Sequence, residues 1–205
     1  MGHLRQLAYV AVLAALSVGV YLNSLNGEFV FDDIVAVLHN KDVLPSTPSH
    51  LLWEHDFWGT HMSEWQSHKS FRPLTILSFR LSYIYAGHRF DELHFHAVNV
   101  ASHALVTLLS LPTYRLLFGA SDPKGVASFT ASALFATHPI HTDAVSSIVS
   151  RGEMLSGILF LLSFLTYALL VRAASRPGLL AKASAHAALL PLSVGLGMAG
   201  MLCKE

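Results

Sequence analysis

Five stretches of the chain are apolar and poor in charged residues, and polar segments separate them. They cover residues 7–25, 94–118, 125–137, 154–171 and 186–202. A helix rises about 1.5 Å per residue, so about 20 apolar residues cross the hydrocarbon core of a bilayer. The pattern therefore predicts about five transmembrane helices. Residues 125–137 form the shortest stretch, and a re-entrant segment is the alternative there.

The first apolar stretch begins close to the N-terminus and has two interpretations. A cleaved signal peptide has a shorter apolar region followed by a small-residue cleavage site, and no clean site of this kind follows here. We therefore expect residues 1–25 to form an uncleaved signal-anchor helix. The fifth stretch contains Pro191, Gly195, Gly197 and Gly200. Its small residues allow close helix packing in lipid.

Composition excludes several classes of protein. Hydrophobic residues make up 53% of the chain and charged residues 13%, and the mean hydropathy is +0.49. Soluble domains carry about 25% charged residues, so an ordinary soluble domain and a disordered chain are both excluded. The zero net charge implies no nucleic-acid partner, and the single cysteine, Cys203, excludes a disulfide framework. The expected fold class is an all-α polytopic membrane protein.

The few charged residues are unevenly distributed, and their distribution predicts an orientation. If all five stretches span and the N-terminus is cytosolic, residues 26–93 form a long lumenal loop. That loop holds nine of the thirteen acids and all three tryptophans. Residues 94–205 then supply four further spans, with a second lumenal loop at 138–153. The bases on the cytosolic side are Arg5, Arg115, Lys124, Arg172, Arg176 and Lys182, as the positive-inside rule requires.

The long loop is predicted to contain two short helices. The first begins with Thr47 as N-cap and Pro48 at the first helical position. The second begins at Pro73 and ends before Gly87, which is a suitable C-terminal cap. Its apolar residues recur at helical spacing: Leu74, Leu77, Leu81 and Ile84. We expect both helices to lie on the outer leaflet, where tryptophan and tyrosine are enriched.

Two adjacent acids, Asp32 and Asp33, follow an apolar strip just beyond the first span. A carboxylate that is partly desolvated at a membrane surface has a raised pKa, which suits a general base. The alternative is that Asp32 or Asp33 caps a short helix over residues 34–38. The sequence alone does not separate catalysis from capping.

Basic residues are concentrated in residues 67–74, just before the predicted helix start at Pro73. Arg72 is placed to bind a phosphate by charge, together with the free N–H groups of the helix N-terminus. The alternative is a basic turn that contacts lipid head groups. Arg80, two turns into the same helix, either joins Arg72 or is solvated.

The loop between the third and fourth stretches contains His138, His141 and Asp143. A His-x-x-His pair near an acid has the ligand types of a zinc site. The same histidines could instead donate hydrogen bonds to a phosphate or a sugar, or only stabilise the local structure. His138 before Pro139 is also typical of a helix end. The residues predicted to bind substrate or phosphate are Arg72, His138, His141 and Arg151, and no metal ligand is assigned.

Several motifs occur in a fixed order along the chain. They are VFDD at 30–33, DFWG at 56–59, SHKSFRPL at 67–74, HPIHTDAV at 138–145, RGE at 151–153 and LCKE at 202–205. Each motif is modest, but the ordered set resembles the N-terminal part of the transmembrane and tetratricopeptide-repeat O-mannosyltransferases. These are polytopic glycosyltransferases of the GT-C type. The resemblance covers nearly the whole chain from Tyr21 onward.

The resemblance implies an enzyme of the endoplasmic-reticulum membrane. Such an enzyme transfers mannose from dolichyl-phosphate mannose to Ser or Thr of secretory-pathway proteins, with cadherins as the expected acceptors. In the family the acidic pair of the first lumenal loop is the candidate catalytic centre, which corresponds to Asp32 and Asp33. Asp143 stands where the family often has glutamate. No cofactor is assigned, and a need for a divalent metal stays open.

The chain departs from the family in its length. Family members continue through further spans into tetratricopeptide repeats, which are absent here. We therefore expect a truncated isoform, a partial gene model or a fragment. One alternative function is a non-catalytic membrane protein that binds the lipid donor or a partner without turnover. A transporter or channel would need polar residues inside several spans, and these stretches are nearly free of acids.

Overall fold

The computed structural model describes residues 2–175 and 179–205, without the side chains of 179–182 and 185. The main helices are α1 Gly2–Gly19, α2 Pro73–Tyr85, α3 Glu92–Phe118, α4 Val126–Thr137, α5 Thr142–Ser146, α6 Arg151–Ala174 and α7 Leu179–Met201. Short helical turns cover Leu22–Asn26, Ile34–Leu38, Lys41–Val43, Ser49–Trp53, Gly119–Ser121 and Pro139–His141. Within these described ranges there is no β-strand, and the expected all-α membrane fold is confirmed.

All five apolar stretches form helices, but their lengths differ. In the described part of the chain, three helices are long and apolar enough to cross a membrane: Gly2–Asn26, Glu92–Ser121 and Arg151–Ala174. Two shorter apolar helices, Val126–Thr137 and His186–Met201, coincide with the third and fifth stretches. The 12 residues of α4 extend over about 18 Å, whereas the hydrocarbon core is about 30 Å thick. The number of full spans therefore stays a prediction.

The helix ends form two groups. The ring of Tyr21, just after α1, lies 5.0 Å from that of His103 in the first half of α3. The His103 Nε2 donates to the carbonyl of Ala136 near the end of α4, at 3.1 Å. At the start of α6, Gly152 lies against the carbonyl of Cys203, which follows α7. One end of the bundle thus collects residues 26–93 and the α4–α6 connection.

The opposite end of the bundle holds the bases that the sequence placed on one side of the membrane. Those whose positions are described are Arg5 in α1, Arg115 in α3, Lys124 before α4 and Arg172 in α6. The other two cannot be compared, because Arg176 and the side chain of Lys182 lie outside the described residues. The segregation agrees with the predicted grouping of loops, while the side that faces the cytosol stays a prediction.

α6 and α7 pack against each other in antiparallel directions. The Ser163 hydroxyl donates to the Ser193 carbonyl at 2.7 Å, and the Ser193 hydroxyl donates to the Ser163 carbonyl at 3.0 Å. An added Cβ on Gly200 would lie 3.5 Å from the Leu159 Cβ, whereas one on Gly195 would meet open space. The predicted role of small residues in close packing is therefore confirmed at Gly200.

Residues 26–93 fold around an apolar core of their own and do not form a simple connector. The buried members of this core are Ala36, Val37, Val43, Leu52, Phe57, Ile76, Phe79, Phe95 and Ile148. The last two come from α3 and from the segment before α6, so the core also joins the loop to the helix bundle. Burial of several aromatic and branched side chains makes this a stable platform for the residues that it carries.

Of the two helices predicted in this loop, the second forms a regular helix and the first forms only a short turn. α2 has the predicted start at Pro73 and ends at Tyr85, while Leu77 and Leu81 face outward and are partly exposed. The first helix is only the turn Ser49–Trp53. The prediction of Thr47 as N-cap and Pro48 as first helical residue is wrong, because Pro48 precedes the turn as its N-cap without a side-chain cap bond. The Thr47 hydroxyl instead donates to the Lys41 carbonyl at 2.6 Å. The position of either helix on a leaflet stays a prediction.

A leucine at Gly200 tests the contact between α6 and α7. We expect Gly200→Leu to destabilise the chain by about 2 kcal/mol, because the larger side chain must push the helices apart. Gly195→Leu is the matched control on the same helix, and it should leave the melting temperature unchanged or raise it. Thermal unfolding in detergent measures both. Equal melting temperatures for the two variants would contradict the packing of Gly200 against α6.

Candidate active site

The adjacent acids Asp32 and Asp33 point in different directions, and Asp33 is the buried one. Its Oδ1 accepts from the Val149 N–H at 2.7 Å and its Oδ2 from the Val30 N–H at 3.2 Å. Burial raises the pKa of Asp33, although these two hydrogen bonds oppose the rise. Asp33 precedes the turn Ile34–Leu38 but makes no side-chain cap bond to it. Its carboxyl group therefore joins the VFDD motif to the segment before α6.

The backbone just before this anchor is strained. Phe31 has φ +48°, a conformation that non-glycine residues seldom adopt and that often marks functional sites. Its side chain is 89% exposed, and Asp32 beside it is exposed as well. The hydrogen bonds of Asp33 hold the chain on both sides of this turn. The result is that Asp32 is presented outward while Asp33 stays inside.

Asp32 lines an open cleft of about 710 Å³. The opposite wall comes from residues 139–150 and includes Asp143, whose Oδ2 accepts a hydrogen bond from the Ser150 hydroxyl at 3.3 Å. Asp143 is exposed, like Asp32. Two carboxyl groups from separate motifs therefore line the same open cleft at the loop end of the bundle.

A second cavity, of about 500 Å³, lies between α3, α4 and α6. Its apolar walls are formed by Val106, Phe135, Gly157, Phe160 and Leu161. Its polar end is lined by His141, Asp143 and Glu153. Because Ile140 and Asp143 line both cavities, the groove and the cleft adjoin each other. We refer to these two cavities as the groove and the cleft.

His138 and His141 lie close to the junction of the groove and the cleft. The His141 ring is 4.3 Å from the Phe135 ring and 5.7 Å from the His103 ring. Burial, reinforced by His103 and His138, lowers the pKa of His141, so its imidazole is neutral near pH 7. His138 is exposed, and its Nδ1 accepts the Ile140 N–H at 3.2 Å. α4 ends at the residue before His138, as the His-Pro pair predicted.

The zinc alternative for this loop needs a third ligand. Across residues 2–175 and 179–205, no group of three or more His, Cys, Asp or Glu side chains is arranged to hold a metal ion. Of the two histidines, His141 lines the groove and His138 lines neither the groove nor the cleft.

Arg151 is fully buried and lies apart from both cavities. Its Nε donates to Asn99 Oδ1 at 2.8 Å, its Nη1 to Ser82 Oγ at 2.8 Å, and its Nη2 to the Phe95 carbonyl at 3.0 Å. The guanidinium carbon also lies 4.8 Å from the centroid of the Phe79 ring. In this conformation the group ties α2, α3 and α6 together. A phosphate-binding role for Arg151 stays a prediction that requires these bonds to open.

Two further arginines of the loop are engaged by protein groups. Arg72 holds the Glu205 carboxylate through Nε and Nη2, both at 3.1 Å, and stacks over the Phe57 ring at 4.8 Å. Among the described residues it lines neither the groove nor the cleft. Arg80 is buried and donates to the Asp42 carbonyl at 2.9 and 2.7 Å. The sequence suggested that Arg80 either joins Arg72 or is solvated, and both alternatives are wrong.

Asp56 organises the basic segment at residues 67–74, a role that its place in the DFWG motif did not predict. Its Oδ1 accepts the N–H groups of Trp58 and Thr60, and its Oδ2 accepts the Ser67 hydroxyl and the His68 N–H. Burial alone would raise the pKa of Asp56, but these hydrogen bonds outweigh it and lower the pKa below its ordinary value. The signal was present, because an Asp two residues before a bend favours an Asx turn.

Comparison with known proteins relates this geometry to a family. The chain is 40% identical to human protein O-mannosyl-transferase TMTC4 in an alignment 205 residues long, which covers 95% of the chain. It is 46% identical to human protein O-mannosyl-transferase TMTC3 over 158 residues, or 77% of the chain, and 43% identical to mouse protein O-mannosyl-transferase TMTC1 over 197 residues, or 95% of the chain. The chain thus matches the N-terminal part of the TMTC protein O-mannosyl-transferases. This confirms the resemblance that the ordered motifs indicated.

The chain covers only a part of each relative's length. The chain spans 27% of the length of human TMTC4, 20% of mouse TMTC1 and 16% of human TMTC3. No family model matches the chain, and no solved structure matches it.

Acid titration tests the anchoring role of Asp56. A lowered pKa means that Asp56 contributes stability above the ordinary aspartate pKa of about 3.9, and that this contribution disappears as the pH falls through the lowered value. At pH 7 we expect Asp56→Asn to lose about 2 kcal/mol of folding stability, since Asn cannot accept all four hydrogen bonds. Thermal unfolding from pH 7 to pH 3 should show the variant and the wild type converging. Glu64→Gln, an exposed acid in the same loop, is the control and should follow the wild type throughout.

Replacing Arg151 and Arg72 in parallel separates a structural from a binding role. Arg151→Gln should destabilise the chain by about 3 kcal/mol, because it leaves buried acceptors unpaired. Arg72→Gln should cost less than about 1 kcal/mol, because its ion pair with Glu205 is partly exposed. Melting temperatures of both variants give the comparison. A stable Arg151→Gln protein would show that the buried bonds are dispensable.

Proposed function

We propose that this chain carries the catalytic centre of a protein O-mannosyl-transferase that uses dolichyl-phosphate mannose as donor. The observation that carries the proposal is that the groove, with its apolar walls, adjoins the cleft that holds Asp32 and Asp143; the two cavities share Ile140 and Asp143. A polyprenyl-phosphate sugar has the same division, with an apolar tail, an anionic link and a polar sugar. Asp32 lies in the cleft, on the side where the sugar would be placed.

The groove and the cleft together would bind the donor in a single orientation. Its isoprenoid chain would lie in the groove between α3, α4 and α6, and its mannose would enter the cleft. The phosphate would then lie near His141 at the polar end of the groove. Because its pKa is lowered, His141 would act as a neutral hydrogen-bond donor. His138 stands beside it, while Arg72 and Arg151 would first have to leave Glu205 and Asn99.

The chemistry follows from the exposure of Asp32. Its carboxylate takes the proton of a Ser or Thr hydroxyl, and the oxygen attacks the anomeric carbon of mannose. The bond to the phosphate breaks, and dolichyl phosphate leaves with the bonding electrons. This direct displacement inverts the anomeric configuration and needs no covalent enzyme intermediate. Asp33 positions Asp32 by fixing the strained turn, and it does not itself touch the substrate.

The proposal extends to location and acceptors. We place the chain in the endoplasmic-reticulum membrane with a cytosolic N-terminus and residues 26–93 in the lumen. The collection of the cleft and the long loop at one end of the bundle, and of Arg5, Arg115 and Arg172 at the other, supports this orientation. The acceptors would be secretory-pathway proteins, with cadherins as the class that the family resemblance implies.

Asp32→Asn and Asp33→Asn test the division of roles. Asp32→Asn should lower the transfer of radiolabelled mannose from dolichyl-phosphate mannose to a Ser/Thr peptide by about 100-fold or more. Its melting temperature should match that of the wild type. Asp33→Asn should lower the melting temperature, because the Val30 and Val149 N–H groups lose a charged acceptor. Microsomes that contain the expressed chain provide the transfer assay.

Glu64→Gln serves as the activity control, since it removes an exposed acid far along the same loop. Wild-type activity in the Asp32→Asn variant would refute the assignment of the base. Donor binding by the wild-type chain without any transfer would instead support the non-catalytic alternative. The relatives are several times longer than this chain, so donor binding and transfer should be measured separately.

A further inference from the structure

A third cavity lies at the end of the bundle opposite the cleft, between α3 and α6. It has a volume of about 390 Å³ and is distinct from the groove. Apart from two arginines, its lining is apolar: Pro112, Leu116, Leu165, Ala168 and Leu169. The arginines are Arg115 from α3 and Arg172 from α6. The cavity thus joins an apolar slot to two positive charges.

Neither guanidinium group is neutralised by the protein. Across residues 2–175 and 179–205, no carboxylate lies within ion-pair distance of Arg115 or Arg172. Asp122, the acid nearest to Arg115 along the chain, accepts hydrogen bonds from Ser128 and Ala127. The positions whose placement is not described contain no acid. Arg115 is half-buried and Arg172 is exposed, so both charges at the mouth of the apolar slot can be reached by an anion from outside the chain.

The position of Arg115 is set by the start of α4. Gly125 has φ +71° and presents bare backbone to the arginine, and a Cβ added at Gly125 would collide with the guanidinium group. The Arg115 guanidinium therefore packs against the backbone at the start of α4 while the residue lines the cavity.

The depth of the cavity matches that of a lipid head group. Arg115 and Arg172 fall in the last two turns of the candidate spans Glu92–Ser121 and Arg151–Ala174. Leu165 and Leu169 precede Arg172 by two turns and one turn, so they lie deeper along the same helix. An anion at the arginines with a hydrocarbon chain along the leucines satisfies both parts of the lining.

We propose that this cavity binds one anionic phospholipid, with its phosphate between Arg115 and Arg172 and an acyl chain against Leu165 and Leu169. Basic pockets between transmembrane helices recognise anionic head groups in this way. The site is separate from the cleft and does not depend on mannose transfer. Inorganic phosphate shares the charge but has no chain to fill the apolar part.

Native mass spectrometry of the full chain in detergent tests the proposal. The probes are phosphatidylglycerol and phosphatidylcholine with identical acyl chains. We expect one phosphatidylglycerol to be retained with an affinity at least tenfold higher than that of phosphatidylcholine. Arg115→Gln and Arg172→Gln should each weaken it about fivefold, and the double variant should lose the preference. Arg5→Gln, which removes an exposed cation outside the cavity, should match the wild type.

Two further variants keep the test decisive if a glutamine variant fails to fold. Arg172→Lys keeps the charge and should retain most of the preference, whereas Gly125→Ala keeps both charges but displaces Arg115 and should weaken it. Equal retention of the two lipids by the wild type would overturn the proposal. So would an unchanged preference in the double variant, or displacement of the lipid by millimolar inorganic phosphate.

Discussion

The buried guanidinium of Arg151 is the interaction on which the rest of the structure depends. It takes its acceptors from Ser82 in α2 and from Asn99 and Phe95 in α3, while its own backbone begins α6. Three elements that are distant in sequence are therefore fixed at one point. A charge at this depth is costly unless each N–H finds an acceptor, which makes the arrangement specific. The cleft lies beside this point, between residues 30–32 and the segment 139–150 that leads into α6.

Two buried carboxyl groups, those of Asp33 and Asp56, also hold the long loop in place. Asp33 joins the VFDD motif to the segment before α6, and Asp56 organises the basic segment before α2. Both accept backbone N–H groups, which a loop without regular structure would otherwise leave unpaired. With the loop fixed in this way, the strained turn at Phe31 can persist and Asp32 can stand in the cleft. Two buried acids thus hold the turn that presents Asp32, the proposed base, to the cleft.

The bundle has cavities at both of its ends. Near the loops, the groove adjoins the cleft at Ile140 and Asp143, where we propose that the donor binds. At the other end, Arg115 and Arg172 line an apolar slot, where we propose that a phospholipid binds. α3 and α6 line both, so their packing links the two sites.

The sequence by itself determined the membrane class, the helices, the start of α2 at Pro73 and the family, because apolar periodicity, Pro and Gly signals and ordered motifs are local. It also selected Asp32, Asp33 and the histidine loop as candidates. Only the tertiary structure decided that Asp33 is buried and Asp32 exposed, and that Arg151 and Arg80 are enclosed by acceptors. Burial and hydrogen-bond partners arise from segments that are far apart in sequence. No local pattern can therefore tell an arginine that binds a phosphate from one that holds helices together.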